Sequence, residues 1–444
     1  MTPERDYVLK SIQSNGIHFI RLWFTDVLGS LKSFAVTPSE IDNAFEEGMG
    51  FDGSSIEGFS RIQESDMIAF PEASTFQILP WRPTENGVAR MFCDIKTPEG
   101  QPFAGDPRYA LKRVLCKAAD MGFMLNVGPE LEFFYFDSPT STVPLDNGGY
   151  FDLTPLDLAS DIRRDTVLAL EGMGIPVEYS HHEVAPSQHE IDLRYTDALS
   201  MADAVMTYRL VVKEVAMKHG AYATFMPKPL SDQNGNGMHV HQSLFTTDGD
   251  NAFFDAKDPQ GYNLSSIAKS YIAGILRYAP EFTAVTNQFV NSYKRLIPGY
   301  EAPVYITWAR RNRSALVRVP LYKPGKELAT RIELRSPDPA CNPYLVFAVM
   351  LGAGLAGIEQ ELQLPQEFTS NAYALSAQDL LAKGIQTLPG SLGDAITLFE
   401  ESELMHQLLG EHIHSYFVRN KREEWAAYLA DVSEWELKRY LSVL

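Results

Sequence analysis

Cysteine is scarce in this sequence of 444 residues, which has only Cys93, Cys116 and Cys341. An odd number of widely spaced cysteines fits neither a disulfide framework nor a zinc ribbon, so we expect a reducing, cytoplasmic compartment. The first residues, MTPERDYVLK, are charged and lack the apolar segment of a signal peptide. The longest apolar run, 344–358, is shorter than the roughly 20 residues that span a membrane, and it predicts a buried helix.

Positive charge is also in short supply. The chain has 38 Lys and Arg against 57 Asp and Glu, a formal net charge of −19. Without a basic stripe, nucleic-acid binding is not expected. No G-x-x-x-x-G-K-[ST] loop occurs, and the Gly-x-Gly spacings lack the strand-to-helix context of a dinucleotide site. Part of the acidity could serve a function, because carboxylates that hold metal ions count as excess negative charge.

The remaining composition is that of a globular protein, with 45% hydrophobic and 21% charged residues. Its length predicts two or three domains. The turn-rich segment 97–102 is the expected boundary, dividing the chain into 1–103 and 104–444. Strands and helices alternate without a regular βαβ period, which favours an α+β fold with a mainly antiparallel sheet.

Four strand-like segments carry charged or imidazole side chains at every second position: 129–133, 189–194, 238–241 and 331–335. Residues i and i+2 of a strand point to the same face. One polar face could be ordinary surface. Several of them, with long apolar helices available to cover the other face, predict strands around a charged cavity that requires compensating metal ions or arginines.

Six residues are candidate metal ligands: Glu130, Glu132, Glu183, Glu190, His239 and Glu333. Taken alone, a Glu-x-Glu pair or a His-His-Glu loop is more often solvated surface. Together, five glutamates and one histidine form an oxygen-rich set that suits Mg²⁺ or Mn²⁺ better than zinc or copper. Hard cations beside arginines are what phosphoryl transfer from a nucleotide requires. The Pro- and Gly-containing segment 291–303 could be a lid or a plain surface loop.

Motifs along the whole chain carry a resemblance to a known family. They are Phe51–Ser55, Glu130–Phe134, His181–Val184, Phe225–Pro229, Asn234–His241, Lys294–Pro303, Asn312–Ser314 and Arg331–Tyr344. In these motifs the chain resembles the type I glutamine synthetases of bacteria, in their shorter form. The resemblance implies an N-terminal β-grasp-like domain and a larger catalytic domain with a curved antiparallel sheet flanked by helices. It also implies a homo-dodecamer of two stacked rings, with active sites between subunits.

The same resemblance implies roles for individual residues. One metal would be held by Glu132, Glu183 and Glu190, and a second by Glu130, His239 and Glu333. Nucleotide contacts would come from Glu178, His241, Ser243, Arg313 and Arg318. Glutamate and the transferred phosphoryl group would be held by Asn234, Gly235, Arg295, Glu301 and Arg335. The catalytic set would be Asp52, Glu301, Arg313 and Arg335, with Asp52 and Glu301 at the ammonium position.

The implied reaction is ATP-dependent ligation of ammonia to L-glutamate through γ-glutamyl phosphate. Arg61 matches a position linked to feedback inhibition by glutamine, whereas modification of Tyr373 is not expected. A γ-glutamyl ligase that uses a polyamine or another amine, and a non-catalytic assembly protein of the same fold, are the alternatives. A glycosidase with paired carboxylates would not need the arginine clusters or the Gly/Asn loop.

Overall fold

The computed structural model describes residues 2–58, 66–298, 302–370, 375 and 377–444. The positions Arg61, Glu301 and Tyr373 lie outside the described residues. Within them, the strands form one sheet of six and one of nine. No helix in this part of the chain combines the length and the apolar character needed to cross a bilayer.

The six-stranded sheet lies in the N-terminal part of the chain. Its strands are β1 (Ile17–Thr25), β2 (Leu31–Val36), β3 (Met49–Asp52), β4 (Asp66–Pro71), β5 (Gln77–Ile78) and β6 (Gly87–Lys96). Their order is β2-β1-β6-β4-β3, with β5 also on β6, and β1 and β6 run parallel. The helices here are α1 (Pro3–Ser14) and α2 (Ile41–Glu46). The sequence of residues 38–47, which ends before Gly48, predicts a single helix, but a 3₁₀ turn occupies Pro38–Glu40 before α2 begins.

The nine-stranded sheet carries the four alternating segments. Its strands are β7 (Phe123–Phe136), β8 (Val177–His182), β9 (Gln188–Leu193), β10 (Thr196–Asp197), β11 (Tyr222–Thr224), β12 (Met238–Thr246), β13 (Tyr305–Ala309), β14 (Ala315–Arg318) and β15 (Ile332–Leu334). The main order is β13-β14-β15-β12-β7-β9-β8. Within this sheet, the β13–β14 pairing is parallel and the other described pairings are antiparallel. The predicted α+β class and the mainly antiparallel catalytic sheet are therefore confirmed.

Helices cover this sheet and fill the C-terminal part of the chain. They are α3 (Pro107–Asp120), α4 (Ser160–Gly172), α5 (Ala198–Lys218), α6 (Ser266–Thr286), α7 (Ser292–Arg295), α8 (Pro343–Glu359), α9 (Ala377–Ala382), α10 (Leu392–Glu400), α11 (Glu403–Ala430) and α12 (Glu434–Tyr440). The apolar run 344–358 forms most of α8, and Pro343 to Gly357 is buried throughout. A Cβ on Gly274 of α6 would lie 2.8 Å from Gly357 Cα, so glycine lets these two helices touch.

An ion network around the buried Arg108 joins the six-stranded sheet to helices α3 and α5. Asp106 caps α3 by accepting from Arg108 N at 2.9 Å, and it also accepts from Ile95 N of β6 at 3.0 Å. The Arg108 guanidinium pairs with Asp94 of β6 and, at 3.1 Å, with Asp203 of α5. Because Arg108 is buried, these carboxylates compensate its charge and fix the position of β6 against the helices.

Candidate active site

Strand register brings the predicted ligands together on one face of the nine-stranded sheet. Glu130 of β7 lies opposite His239 of β12, and Glu132 lies opposite Glu190 of β9. Leu131, between the two glutamates, is fully buried on the other face. The alternation in the sequence is thus an alternation between a carboxylate-lined face and an apolar core.

The first cluster consists of Glu130, His239 and Glu333, whose ligand atoms all lie within 4.8 Å of one another. His239 Nδ1 is 3.2 Å from Glu130 Oε2 and 3.9 Å from Glu333 Oε1. The fully buried Glu333 is flanked by the guanidinium groups of Arg318 and Arg335, which both contact it. Arg318 ends β14 and Arg335 directly follows β15, so two neighbouring strands supply the positive charge beside this carboxylate.

The charge states of this cluster suit a cation. Burial favours neutral carboxyls, but hydrogen bonds from His239 and His241 keep the pKa of Glu130 well below its usual value. Burial likewise favours the neutral form of Glu333, but the nearby charges, led by Arg335, outweigh burial and lower the pKa of this carboxyl. Burial and Arg335 lower the pKa of His239 to about 4, so its imidazole is neutral at pH 7. Two anionic carboxylates and a neutral imidazole are the protonation states in which these groups bind a metal.

The second cluster combines Glu183 and Glu190 with His181, a residue that sequence analysis did not select as a ligand. His181 Nδ1 is 3.6 Å from Glu183 Oε1, and its Nε2 is 3.9 Å from Glu190 Oε1. Burial and the nearby Glu183 raise the pKa of Glu132 to about 8. Burial and the carboxylates of Asp192 and Glu132 raise the pKa of Glu190 well above its usual value. Carboxyls this close need either protons or a cation between them.

Asp192 is a further acidic residue of the site that was not predicted as a ligand. Its ligand atoms lie within 4.8 Å of those of Glu130 and Glu190. Both Oδ atoms are buried, and burial raises the pKa of Asp192 to about 7 against the opposing contacts with Glu190 and Tyr179. The signal was present in the sequence, since Asp192 follows Glu190 at i+2 and therefore shares its face.

A buried polar network lies next to the second cluster. His182 Nε2 is 3.0 Å from Asp146 Oδ1, and its Nδ1 is 2.7 Å from the carbonyl oxygen of Glu183. His189, which precedes Glu190, receives a hydrogen bond from Arg163 Nη1 at 2.8 Å. These contacts hold the backbone beside both glutamates in place.

Two clefts meet at the clusters. The larger, of about 580 Å³, is lined by Glu130, Glu178, His241 and Ser243, among others. The smaller is lined by Glu132, Glu183, Gln188, Asn234, Gly235, His239, Arg295, Ala302 and Arg335. Glu130 and His239, which belong to the same cluster, line one cleft each. A group bound at this cluster would therefore face both clefts.

The loop 234–237 is shaped by close backbone approaches. Asn236 N donates to Pro227 O at 2.8 Å, and Gly237 N donates to Glu132 Oε2 at 2.7 Å. A Cβ on Gly235 would lie 2.4 Å from Pro227 O, and one on Gly237 would lie 2.7 Å from Arg295 Nη2. Only glycine leaves room for Arg295 beside the loop.

Two selected residues, Arg313 and Asp52, line neither cleft within the single chain. Arg313 is exposed and lines neither of them. Asp52 is exposed at the end of β3, and its Oδ1 accepts from Ser54 N at 2.8 Å. Hydrogen bonds from Ser54 lower the Asp52 pKa. Arg318 does reach the clusters, through its ion pair with Glu333.

The fold and the site define a class: an α+β protein whose large sheet carries carboxylate-rich clusters between two clefts. Two family models match the chain, "Glutamine synthetase, beta-Grasp domain" over residues 16–98 and "Glutamine synthetase, catalytic domain" over residues 104–440. The chain belongs to the glutamine synthetase family, and its N-terminal sheet is a β-grasp domain.

Similar proteins span the full length of the chain. A glutamine synthetase of Mycolicibacterium smegmatis is 54% identical over 100% of both chains. One of Halobacterium salinarum is 51% identical over 99% of this chain and 97% of its own. The solved structure of a protein named GmaS in complex with ADP superposes with a TM-score of 0.89 at 34% identity, covering 98% of this chain and 99% of that one.

Proposed function

We propose that this protein is a glutamate–ammonia ligase. It joins ammonia to L-glutamate at the expense of ATP, giving L-glutamine, ADP and phosphate through γ-glutamyl phosphate. The observation that carries this proposal is the meeting of the two clefts at one cluster of anionic carboxylates and a neutral imidazole. The protein is divided into two domains, residues 1–103 and residues 104–444.

Two divalent cations, Mg²⁺ or Mn²⁺, are assigned to the six predicted metal ligands. Glu132, Glu183 and Glu190 hold one, and Glu130, His239 and Glu333 hold the other. The protonation states support this assignment, because Glu130 and Glu333 are held anionic and His239 neutral. When bound, the cations neutralise charge on the phosphates and on the transferring group.

The larger cleft takes ATP, with contacts from Glu178, His241, Ser243, Arg313 and Arg318. The smaller cleft takes glutamate, which is held by Asn234, Gly235, Arg295, Glu301 and Arg335. Arg295 is anchored by donating from Nη1 to Ser336 O at 2.6 Å. Because Gly235 and Gly237 have no side chain, the loop can lie directly against this arginine.

The proposed reaction begins with phosphorylation, because a free carboxylate has no good leaving group for ammonia to displace. The glutamate γ-carboxylate attacks the terminal phosphoryl group, whose charge Arg313 and Arg335 stabilise. The acyl phosphate then reacts with ammonia, which displaces phosphate. Because the acyl phosphate hydrolyses readily, water must be excluded until the amine arrives. Asp52 and Glu301 bind ammonium and take its proton.

A homo-dodecamer of two stacked rings in the cytoplasm completes the proposal. Asp52 is exposed and lines neither cleft of its own chain, which supports a site completed by a neighbouring subunit. The exposed Trp435, Leu437 and Leu441 on and beside α12 offer apolar surface for such an assembly. The three free cysteines support a reducing compartment. Arg61 is assigned to feedback inhibition by glutamine.

The experiment that tests this function measures phosphate release from ATP with glutamate and either ammonium or a panel of amines. We expect release that depends on glutamate and a clear preference for ammonium. A strong preference for a polyamine or another amine would overturn the stated substrate. Absence of release with every amine would indicate a non-catalytic protein.

A further inference from the structure

Helix α11 is interrupted at Gly410, and just after this break it contacts the loop that follows Asp52. Gly410 has φ 79° and ψ 159°, which interrupts the helix. Arg113 Nη2 donates to the carbonyl of Leu408 at 3.0 Å, which compensates an acceptor near the break. Beyond the break, His412 and Tyr416 are four residues apart and so lie on the same side of the helix.

These two residues contact Glu57 and Gly58, the last described residues before Asp66, which are called the loop end below. His412 Nε2 donates to the carbonyl oxygen of Gly58 at 2.6 Å. The Tyr416 hydroxyl donates to the carboxylate of Glu57. Val27 N also donates to the carbonyl of Glu57, at 3.4 Å. The loop end is therefore held from two sides, by α11 and by the turn after β1.

The fit at Gly58 is close. Its φ is 84°, and a Cβ there would lie 2.3 Å from Val27 Cγ2 and 3.3 Å from Tyr416 Cδ1. A hydrogen bond from Ile56 N to Gly53 O, at 3.0 Å, links the middle of the loop to its start. The segment between Asp52 and Gly58 is therefore short and internally hydrogen-bonded.

We propose that His412 and Tyr416 are positioning residues for the Asp52 loop and set the affinity of the enzyme for ammonium. This inference rests on the proposed function, in which Asp52 binds ammonium. The Asp52 side chain is exposed and its own hydrogen bond goes only as far as Ser54, so the position of its carboxylate depends on how the loop is anchored. Displacement of a binding group by about 1 Å can cost a large factor in rate.

The test is a double-mutant cycle of Tyr416→Phe and Glu57→Gln, with His412→Gln as an independent variant. Loss of the charge-assisted hydrogen bond should raise the KM for ammonium about 5- to 20-fold. The KM values for ATP and glutamate, and the slow glutamate-dependent phosphate release without ammonium, should change less than about twofold. Because Tyr416 and Glu57 share one bond, the double variant should resemble the single ones. Tyr7→Phe, at an exposed tyrosine of α1, is the matched control.

Unchanged ammonium KM in all three single variants would overturn the inference while leaving the proposed function intact. Equal changes in all three KM values, together with a lower unfolding temperature, would also overturn it, because that pattern indicates a merely structural contact. Wild-type enzyme that releases phosphate without preference for ammonium would overturn both proposals.

Discussion

Competition between protons and a divalent cation at Glu132 is open to a direct test. This carboxyl is buried, accepts from Gln188 Nε2 at 3.0 Å and lies near Glu183. Burial and the Glu183 charge raise its pKa from 4.5 to about 8. A carboxylate must lose its proton to bind a metal, so a cation at this site displaces a proton at neutral pH.

The magnitude follows from the pKa. With a pKa of about 8, about 1% of Glu132 is ionised at pH 6 and about half at pH 8. The apparent affinity of this site for Mg²⁺ or Mn²⁺ should therefore rise about 50-fold, or about 2.3 kcal/mol, over that interval. The metal-free protein should respond in the opposite sense. Between pH 4.5 and about 8 the folded carboxyl keeps a proton that the unfolded one has lost, so stability falls as the pH rises.

The assay is calorimetric titration of Mn²⁺ at pH 6, 7 and 8, in buffers of different ionisation enthalpy, which also count the protons released. We expect tighter binding at pH 8 and release of about one proton or more per cation at pH 7. The isosteric Glu132→Gln variant should bind more weakly and with less dependence on pH. Equal affinity of the wild type at pH 6 and pH 8, without proton release, would refute the reasoning.

Three substitutions give further predictions. Glu333→Ala removes a proposed ligand and leaves the arginines beside it without their carboxylate, so turnover should fall at least about 100-fold while gel filtration shows an unchanged assembly; near-normal turnover would contradict the metal assignment. Gly237→Ala places a Cβ 2.7 Å from Arg295 Nη2, so the glutamate KM should rise about 10-fold with the ATP KM unchanged; an unchanged glutamate KM would contradict the placement of glutamate beside this arginine. Asp106→Ala removes the cap of α3 and the acceptor for Ile95 N, and it should destabilise the fold by about 2–4 kcal/mol, seen as a lower unfolding temperature than for Asp106→Asn. Equal unfolding temperatures for these two variants would count against the cap.

Features that depend on near neighbours along the chain could be predicted from the sequence. The alternation around Glu130 and Glu132 placed both carboxylates on one strand face, as β7 has them. The apolar run 344–358 indicated a buried helix, which is α8. Period and polarity are local properties, so they can be read without knowing which strands pair. The limits of local reading appear at Pro38–Glu40, where a 3₁₀ turn replaces the expected start of a helix.

The composition of each cluster depends on contacts between distant segments. Glu130 and His239 are 109 positions apart, and their meeting depends on the register of β7 against β12. His181 and Asp192 join their clusters through the registers of β9 against β8 and β7, so neither could be assigned to a cluster from the sequence, although both stand in segments that were singled out. Asp52 could be selected by family resemblance, but only the tertiary structure shows that it lines neither cleft of its own chain.

The amino-acid sequence by itself determined which side chains share a face, because strand and helix periods are built into the covalent backbone. The tertiary structure decided which faces meet, how deeply each acid is buried and therefore which acids keep their protons. Those outcomes depend on solvent exclusion and on charges from remote segments, which no local pattern encodes.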